Sequence, residues 1–338
     1  MRQTWITAPG SVEVREVAEP VPAAGEVLVE VAYAGICGSD LHTLRRGHPW
    51  LPYPIAPGHE ASGVVLGGPG FAPGRRVYLR PAVSCGRCFY CARGRTNLCA
   101  NLIGVGSHTP GAFAERFAVP PAALAPVPDG VSLAAAAMTE PLATAVHAVS
   151  VAAPAGLAGA TVAILGGGTI GQCMLLAALG AGAGEVVLTD PVASKRDLAR
   201  SLGVAATVDP SSDAAEGEIR AALGGRPDVV FDCVAGRATL AGAVRLAMNG
   251  GTVVVVGVGH GPMDLTVEAV QDHEIRIAGS AMYVAADFAA AERLIAGGAP
   301  VERLITSVRP LAGAPEALAA AAAGGEVKIH LAGPQGGA

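Results

Sequence analysis

A glycine-rich turn between a buried strand and a helix restricts the fold of this chain more than any other feature. Residues 160–165 (ATVAIL) form a continuous apolar run, which predicts a buried strand. Glycines then follow in the spacing G-x-G-x-x-G, and a helical segment rich in Ala and Leu runs to about Gly180. Such glycines allow a tight turn, a close approach of pyrophosphate to the backbone, and close packing of helix on strand. The segment predicts a dinucleotide-binding loop made of Gly166, Gly168, Thr169, Ile170 and Gly171.

Strands and helices alternate through the region that follows this loop. Apolar runs separated by helical segments predict further strands at residues 185–189, 206–208, 228–232, 252–258 and 276–279. That alternation is typical of a doubly wound parallel sheet. Asp190 follows the second strand, where a carboxylate can accept hydrogen bonds from the adenosine ribose and repel a 2′-phosphate. NAD is therefore favoured over NADP, although Lys195 and Arg196 leave NADP open.

Residues 1–130 have a different pattern. Short β-like runs such as 26–34 (EVLVEVAYA) and 63–66 are separated by Pro and Gly, which predicts an irregular, mostly antiparallel β domain. Residues 284–331 contain Ala-rich helices and a single final strand at 326–331, too little to fold alone. We therefore expect an α/β protein of two domains. The two comprise residues 1–150 with 284–338, and residues 151–283.

The composition excludes several classes of protein. Of the 338 residues, 51% are hydrophobic and 15% are charged, so the chain can bury large cores and is not disordered. No apolar run reaches the roughly 18–20 residues of a membrane span, and the N-terminus lacks the basic-then-apolar pattern of a signal peptide. A net charge of -5 argues against nucleic acid or an acidic membrane as a partner. We expect a soluble, cytoplasmic protein.

Four of the seven cysteines follow one another in the pattern C-x2-C-x2-C-x7-C. Four thiolates at this spacing can surround one ion tetrahedrally, which is the arrangement of a closed, structural zinc site. The same thiolates could hold an iron–sulfur cluster. A nucleic-acid-binding zinc ribbon fits less well, because its two Cys pairs lie more than a dozen residues apart. The predicted ligands are Cys85, Cys88, Cys91 and Cys99.

A second cluster combines a thiol, an imidazole and a carboxylate. Cys37 immediately follows a predicted strand, and His59 and Glu60 stand in a loop after several prolines. Cys, His and a carboxylate brought together from separate loops are typical of a catalytic zinc site, in which one position stays open. Cys173 and Cys233 lie in a predicted helix and at the end of a predicted strand, and are interpreted as small core residues.

Together these motifs resemble the zinc-containing medium-chain dehydrogenase/reductase family, which includes the alcohol dehydrogenases. The resemblance rests on residues 37–42 (CGSDLH), residues 58–60 (GHE), the four cysteines and the glycine loop, in that order along nearly the whole chain. It implies a GroES-like, mostly β catalytic domain and a doubly wound Rossmann domain. Residues 140–147 (EPLATAVH) are similar to the polyol (sorbitol) and butanediol dehydrogenase branch, since Glu140 stands where the classical alcohol dehydrogenases have a cysteine.

The resemblance implies a catalytic zinc bound by Cys37 and His59, with either Glu60 or Glu140 completing the protein ligands. Asp40 would orient one of these ligands. A second zinc would be bound by the four cysteines, giving two zinc ions per chain. The resemblance also implies that the protein forms a homodimer or a homotetramer.

The implied reaction interconverts a secondary alcohol, such as a polyol, sugar or cyclitol, and its ketone. Zinc would lower the pKa of the alcohol, and hydride would pass to the nicotinamide of NAD. The resemblance implies that Ser39 would accept the alcohol proton, that His42 would pass it to solvent, and that Thr144 would pack beside the nicotinamide. Two alternatives stay open: an NADPH-dependent ketone reductase of a biosynthetic pathway, and an inactive protein that binds NAD(H) or zinc as a sensor.

The remaining histidines carry weaker signals. His48 and Trp50 fall in a loop that lines either a substrate pocket or the surface. His108 is expected in a surface turn, and His147 as a buried residue with a partner. No ligand partner stands at a useful spacing from the others, which are interpreted as structural: His260, His273 and His330.

Overall fold

A computed structural model describes residues 1–48, 51–259, 261–262, 264–265 and 267–336. The chain divides into two compact units, Met1–Glu140 with Ile295–Ala338, and Pro141–Leu294. The sequence predicts boundaries after residues 150 and 283. Residue 150 lies inside the helix Thr139–Ala152, which crosses the observed boundary after Glu140. Residue 283 lies just before the helix Ala285–Ala296, which crosses the observed boundary after Leu294.

The first unit is built around a sheet of seven strands. The strands of the whole unit, including those outside this sheet, are β1 (Arg2–Ala8), β2 (Ser11–Glu16), β3 (Val27–Gly35), β4 (Glu60–Gly67), β5 (Arg76–Leu79), β6 (Ala82–Val83), β7 (Ile103–Gly104), β8 (Arg116–Val119), β9 (Leu124–Pro126), β16 (Ile305–Pro310) and β17 (Lys328–Ala332). The large sheet has the order β16-β17-β3-β4-β5-β9, with β8 also paired to β3. Two small antiparallel pairs, β1-β2 and β6-β7, accompany it. Its helices are α1 (Gly38–Arg46), α2 (Leu133–Ala137) and α10 (Ala314–Ala323).

Strand β3 is central to this unit. It pairs antiparallel with β4, β8 and β17. Its apolar side chains Val27, Val29 and Val31 are fully buried in a core that also contains Leu318 of α10. The last strand of the chain therefore lies beside the strand that leads into Cys37, with His330 opposite Gly35.

The second unit is a parallel sheet with helices between its strands. Its strands are β10 (Val162–Leu165), β11 (Val186–Thr189), β12 (Ala206–Val208), β13 (Val229–Asp232), β14 (Thr252–Val255) and β15 (Arg276–Gly279). The helices are α3 (Thr139–Ala152), α4 (Thr169–Gly180), α5 (Ala193–Ser201), α6 (Ala215–Leu223), α7 (Arg237–Leu246), α8 (Val267–Asp272) and α9 (Ala285–Ala296).

The strand order β12-β11-β10-β13-β14-β15, with every pairing parallel, is that of a doubly wound sheet. Strands β10, β11 and β13 are buried along their whole length, as continuous apolar strands are when helices cover both faces of a sheet. The predicted fold class, α/β with a mostly β part and a doubly wound parallel sheet, is confirmed. Within the described residues, no helix combines the length and apolar character needed to cross a membrane.

Candidate active site

The start of helix α1 fixes the position of Cys37. Cys37 is the N-cap residue, and its backbone N–H donates to the Asp40 carboxylate over 2.9 Å. A carboxylate in the first helical turn is favourable, because it accepts from unpaired N–H groups at the positive end of the helix dipole. The sequence Cys-Gly-Ser-Asp therefore places a thiol at the exact entry of a helix and buries the carboxylate beside it.

The loop that carries His59 is held by a second loop. The Ala112 N–H donates to the Gly58 carbonyl over 2.9 Å, and the Phe113 N–H donates to the Pro57 carbonyl over 3.0 Å. Gly58 has a φ of 108°, and a Cβ on it would lie 2.5 Å from the Phe113 nitrogen, so only glycine fits here. This close backbone packing sets the direction of the side chain that follows.

Cys37, His59 and Glu60 meet at the beginning of α1 and β4. One ligand atom from each, a sulfur, a ring nitrogen and a carboxylate oxygen, lie within 4.8 Å of one another. This donor set fits zinc with one open position. Glu140 is buried and close enough to His59 to influence its pKa, but it does not belong to this group of mutually close atoms.

A buried lysine contacts the Glu60 carboxylate. Lys328 Nζ lies 2.5 Å from Glu60 Oε2 and donates to the Ile36 carbonyl over 2.8 Å. Both side chains are at most 1% exposed. A Cβ on Gly35 would come within 2.1 Å of the same carboxylate oxygen, so the pair needs a glycine on the neighbouring strand. The sequence analysis missed Lys328, whose signal is a lysine in an otherwise apolar strand (residues 327–331, VKIHL).

Acidic groups around the His59 imidazole create a field that attracts a proton to it. Burial acts to lower the pKa of His59, but Asp40 and Cys37 raise it, and the net pKa is well above the usual value. Asp40 Oδ1 lies 3.6 Å from His59 Nδ1. Burial raises the pKa of Asp40, while the charge of His59 acts in the opposite direction. A divalent cation can replace the proton that this field attracts, as expected of a metal site.

Ser39 and His42 share one face of α1, since residues three apart on a helix are neighbours. The Ser39 hydroxyl lies 3.4 Å from His59 Nε2. His42 is half-buried one turn further along the helix. The structure therefore places the predicted proton-accepting serine directly against a predicted metal ligand.

The four cysteines of residues 85–99 converge, and all four are free thiols. Cys88 Sγ lies 3.5 Å from Cys91 Sγ and 3.9 Å from Cys99 Sγ. These separations bracket the edge of about 3.8 Å expected for a ZnS4 tetrahedron with Zn–S bonds near 2.3 Å. The backbone N–H groups of Cys91 and Ala100 lower the pKa of Cys88 to about 6, which favours a thiolate. The residues present fit a closed zinc site.

The glycine loop has the geometry that its motif predicts. Gly166 has a φ of 96°, which forms the turn out of β10. A Cβ on Gly171 would lie 1.8 Å from the Gly166 carbonyl oxygen, so helix and strand pack in direct contact. Gly168 is the N-cap of α4 and has open space where a Cβ would stand. Thr169 and Ile170 form the first turn, so the N–H groups of the helix start face this opening.

Family models match both parts of the chain. Residues 23–129 match the alcohol dehydrogenase GroES-like domain, and residues 169–297 match the zinc-binding dehydrogenase domain. The chain belongs to the zinc-binding alcohol dehydrogenase family. It is therefore an oxidoreductase that interconverts a secondary alcohol and its ketone with zinc and NAD(P), and its substrate is a small molecule.

Two relatives and one solved structure illustrate the similarity. The chain is 34% identical over 284 residues to L-galactonate-5-dehydrogenase of Escherichia coli, covering 82% of each chain. It is 36% identical over 298 residues to 2-dehydro-3-deoxy-L-galactonate 5-dehydrogenase of Pseudoalteromonas atlantica, covering 86% of each. A protein of Sinorhizobium meliloti described as a zinc-binding dehydrogenase, solved with NADP, is 37% identical, with a TM-score of 0.90 and 98% of each chain covered.

In this dehydrogenase, Asp190 binds the glycine loop itself. Its Oδ2 accepts from the Gly167 N–H and its Oδ1 accepts from the Val192 N–H, both over 2.8 Å. The Gln172 side chain links the same loop to α5, because its Nε2 donates to the carbonyls of Gly167 and Lys195. Asp190 is therefore oriented by backbone before any ribose arrives.

The Arg196 guanidinium is already engaged within the protein. It donates to the Asp190 carbonyl over 2.6 Å, to the Pro191 carbonyl over 2.9 Å and to Asp209 Oδ2 over 3.0 Å. Lys195 is half-buried at the start of α5, and Thr144 is half-buried on α3.

The other singled-out residues fall into distinct settings. His147 Nδ1 lies 2.8 Å from Asp287 Oδ2, so it has the expected partner. The His48 and His108 rings lie 6.4 Å apart. His330 is fully buried, and neither of its ring nitrogens has a hydrogen-bond partner among the described residues. Two further residues, Trp50 and His260, lie outside the described residues.

The remaining three singled-out residues also differ in burial. Cys173 is fully buried, whereas Cys233 and His273 are half-buried.

Proposed function

We propose that the chain oxidises a secondary hydroxyl group of a polyol or sugar acid, or reduces the matching ketone, at a zinc held by Cys37, His59 and a carboxylate. The convergence of these ligand atoms within 4.8 Å carries the proposal. The named relatives support the substrate class, since both are 5-dehydrogenases of a galactonate. In each case the reacting carbon lies within a hydroxylated chain.

Zinc supplies Lewis acidity that lowers the pKa of an alcohol, and the nicotinamide accepts hydride. The chain contributes the proton path. In this proposal Ser39 Oγ accepts the proton of the alcohol, and His42, one helical turn away, passes it towards solvent; the distance of 3.4 Å from Ser39 Oγ to His59 Nε2 supports this role. Thr144 is assigned to contact with the nicotinamide.

Glu60 and Glu140 have different roles in this proposal. Glu60 is the carboxylate that lies beside Cys37 and His59, and we take it as the direct ligand. Its contact with Lys328 keeps one oxygen away from the metal and reduces the negative charge that it contributes. Glu140 then acts through water, or replaces Glu60 when substrate binds. Both carboxylates leave the metal more Lewis acidic than a second thiolate would.

NAD is the proposed cofactor, with NADP as the alternative. Asp190 presents a fixed carboxylate at the end of β11, where a 2′-phosphate would meet like charge. Arg196 is occupied by Asp209 and two carbonyls. The Sinorhizobium meliloti protein, in contrast, was solved with NADP, which supports the alternative cofactor. Changing Asp190 to Ser should raise the ratio of kcat/KM for NADP+ to that for NAD+ by at least about tenfold, because a like-charge contact is removed.

A cytoplasmic homodimer or homotetramer is the proposed form of the protein. Strand β15 (Arg276–Gly279) is the last strand of the parallel sheet, and its edge can pair with the same edge of another copy. We take residues 279–284, which follow β15 along the chain, as the segment that pairs between copies.

Purified protein tests the proposed function directly. Metal analysis should give about two zinc ions per chain, and NAD+ reduction should be seen with at least one member of a panel of alditols, aldonates and cyclitols. Zinc-loaded protein that binds NADH but turns over no alcohol or ketone of the panel would contradict the proposal and favour the sensor. Turnover only of ketones with NADPH would favour the reductase.

A further inference from the structure

Two histidines from separate loops face each other on the first unit. His48 follows the end of α1, the helix that begins at Cys37, and His108 lies in the loop between β7 and β8. Their ring centroids are 6.4 Å apart and the ring planes are inclined at 78°. His48 is half-buried and His108 is exposed. No step of the proposed reaction uses either residue.

The loop that carries His108 packs against the metal-ligand loop. A Cβ on Gly106 would lie 2.7 Å from the Gly58 carbonyl oxygen, and a Cβ on Gly111 would lie 2.3 Å from it. Both arms of the loop around His108 therefore contact the residue immediately before His59. His108 therefore lies on a loop that adjoins the metal-ligand loop, and His48 lies beside His108.

Hydrogen bonds fix which nitrogen of His108 is available. Its Nδ1 accepts the Gly104 N–H over 3.1 Å and lies 3.3 Å from the Ser107 hydroxyl. In the neutral ring the proton is therefore on Nε2, which can donate to a ligand.

We propose that His48 and His108 bind the carboxylate of a sugar-acid substrate and so select sugar acids over neutral polyols. This inference rests on the proposed function. A carboxylate can accept hydrogen bonds from two separate donors, and a nearby anion favours the charged form of an imidazole.

The span of such a substrate agrees with this position. In a galactonate oxidised at carbon 5, the carboxylate is four bonds from the reacting carbon, or about 5 Å in an extended chain. The group that recognises it must then lie on loops adjoining the metal ligands, as the His108 loop does. Burial, and to a smaller extent the neighbouring His108, lowers the pKa of His48.

The test compares charged and neutral substrates with the zinc-loaded, full-length protein. The variants are His48→Gln, His108→Gln and the double variant, with His273→Gln as the matched control in the other unit. The probes are L-galactonate and D-gluconate against galactitol and D-sorbitol, all with NAD+. Each single variant should raise KM for the acids about tenfold or more, because it removes a charge-assisted hydrogen bond. Values of kcat for the acids, and KM for the alditols, should change by less than about twofold.

Three results would overturn the inference: equal losses on acids and alditols, no change on either, or a wild-type protein that oxidises alditols but no acid. In the last case the proposed function stands while the carboxylate assignment fails. Absence of turnover with every alcohol and ketone of the wider panel would instead overturn the proposed function. A variant that fails to fold is recognised by loss of alditol turnover together with a lowered Tm, and the other single variant then decides.

Discussion

The two candidate metal sites are assembled by different means. The four-cysteine segment is local: Cys85 to Cys99 are joined by short turns, and backbone N–H groups reach the sulfurs of Cys88 and Cys99. The Cys37 site draws its ligands from separate chain segments and places buried charges around them, with Lys328 coming from the last strand. A metal can organise the first site largely by itself, whereas the second depends on the fold already being formed.

The largest predicted effect separates the two sites by one substitution made in each. Cys37→Ser should lower kcat/KM by about 10³-fold or more, because several kcal/mol of Lewis-acid stabilisation are lost. Cys91→Ser should instead lower Tm by about 5–10 °C, because a structural zinc contributes to folding. Metal analysis, thermal unfolding and steady-state kinetics on both variants provide the comparison. Each variant should lose about one zinc ion per chain.

The opposite pattern would break this distinction. If Cys91→Ser lost activity at temperatures where it is folded, while Cys37→Ser lost only stability, the two assignments would have to be exchanged.

Lys328→Met sharpens the comparison, because it breaks the buried ion pair of Lys328 with Glu60, and the salt bridges described in the structure include none in the four-cysteine segment. The substitution leaves the Glu60 carboxylate buried without its cation, which should lower the free energy of unfolding by about 3–5 kcal/mol. Adding Glu60→Gln should recover part of that loss, since the unpaired charge is then removed. Urea unfolding of both variants measures this, with Lys195→Met as the control.

A loss of stability that is the same in Lys328→Met and in the double variant would contradict the prediction. It would mean that the loss comes from the missing hydrogen bond between Lys328 Nζ and the Ile36 carbonyl, and not from the unpaired carboxylate.

His330 gives the smallest effect and concerns the same buried surroundings. Burial lowers the pKa of His330 to about 3 from an ordinary value of 6.5. Between these values the unfolded chain binds a proton that the folded chain does not, so stability is full above pH 6.5 and declines as the pH falls. Between pH 7 and pH 5 the decline attributable to this group is about 2 kcal/mol.

His330→Leu should therefore unfold with a weaker pH dependence than the wild-type protein, in urea titrations at pH 7 and pH 5. His273→Gln is the control and should follow the wild type. Equal pH dependence in all three proteins would show that His330 gains a partner or solvent in the folded state.

Much of the fold could be predicted because its signals are local. The strands predicted at 206–208 and 276–279 are observed as β12 and β15 with the same bounds. The predicted strand at 252–258 ends early, at Val255, because Val256 and Gly257 turn back to donate to the Asp232 carbonyl. Apolar runs indicate that a strand is buried, but the hydrophobicity of the sequence does not show where tertiary hydrogen bonds end that strand.

The site was predicted unevenly for the same reason. Spacing alone predicted the four-cysteine site, and the combination of residue types predicted the Cys37, His59 and Glu60 site, which the family resemblance then supported. Lys328 was missed because its partner is hundreds of residues away in sequence and meets it only when β17 pairs with β3. The contact of His48 with His108 was missed likewise, since it requires two loops to meet across the structure.

The placement of the lysines has a consequence for chemical labelling. The chain contains two lysines, Lys195 and Lys328, and its other basic side chains are arginines or histidines. Lys328 is fully buried. Amine-directed reagents under native conditions should therefore modify the N-terminus and Lys195 only, and Lys195 is tied through Gln172 to the glycine loop. A fluorophore attached at Lys195 would thus report on nucleotide binding, with the N-terminal amine as the second labelled position.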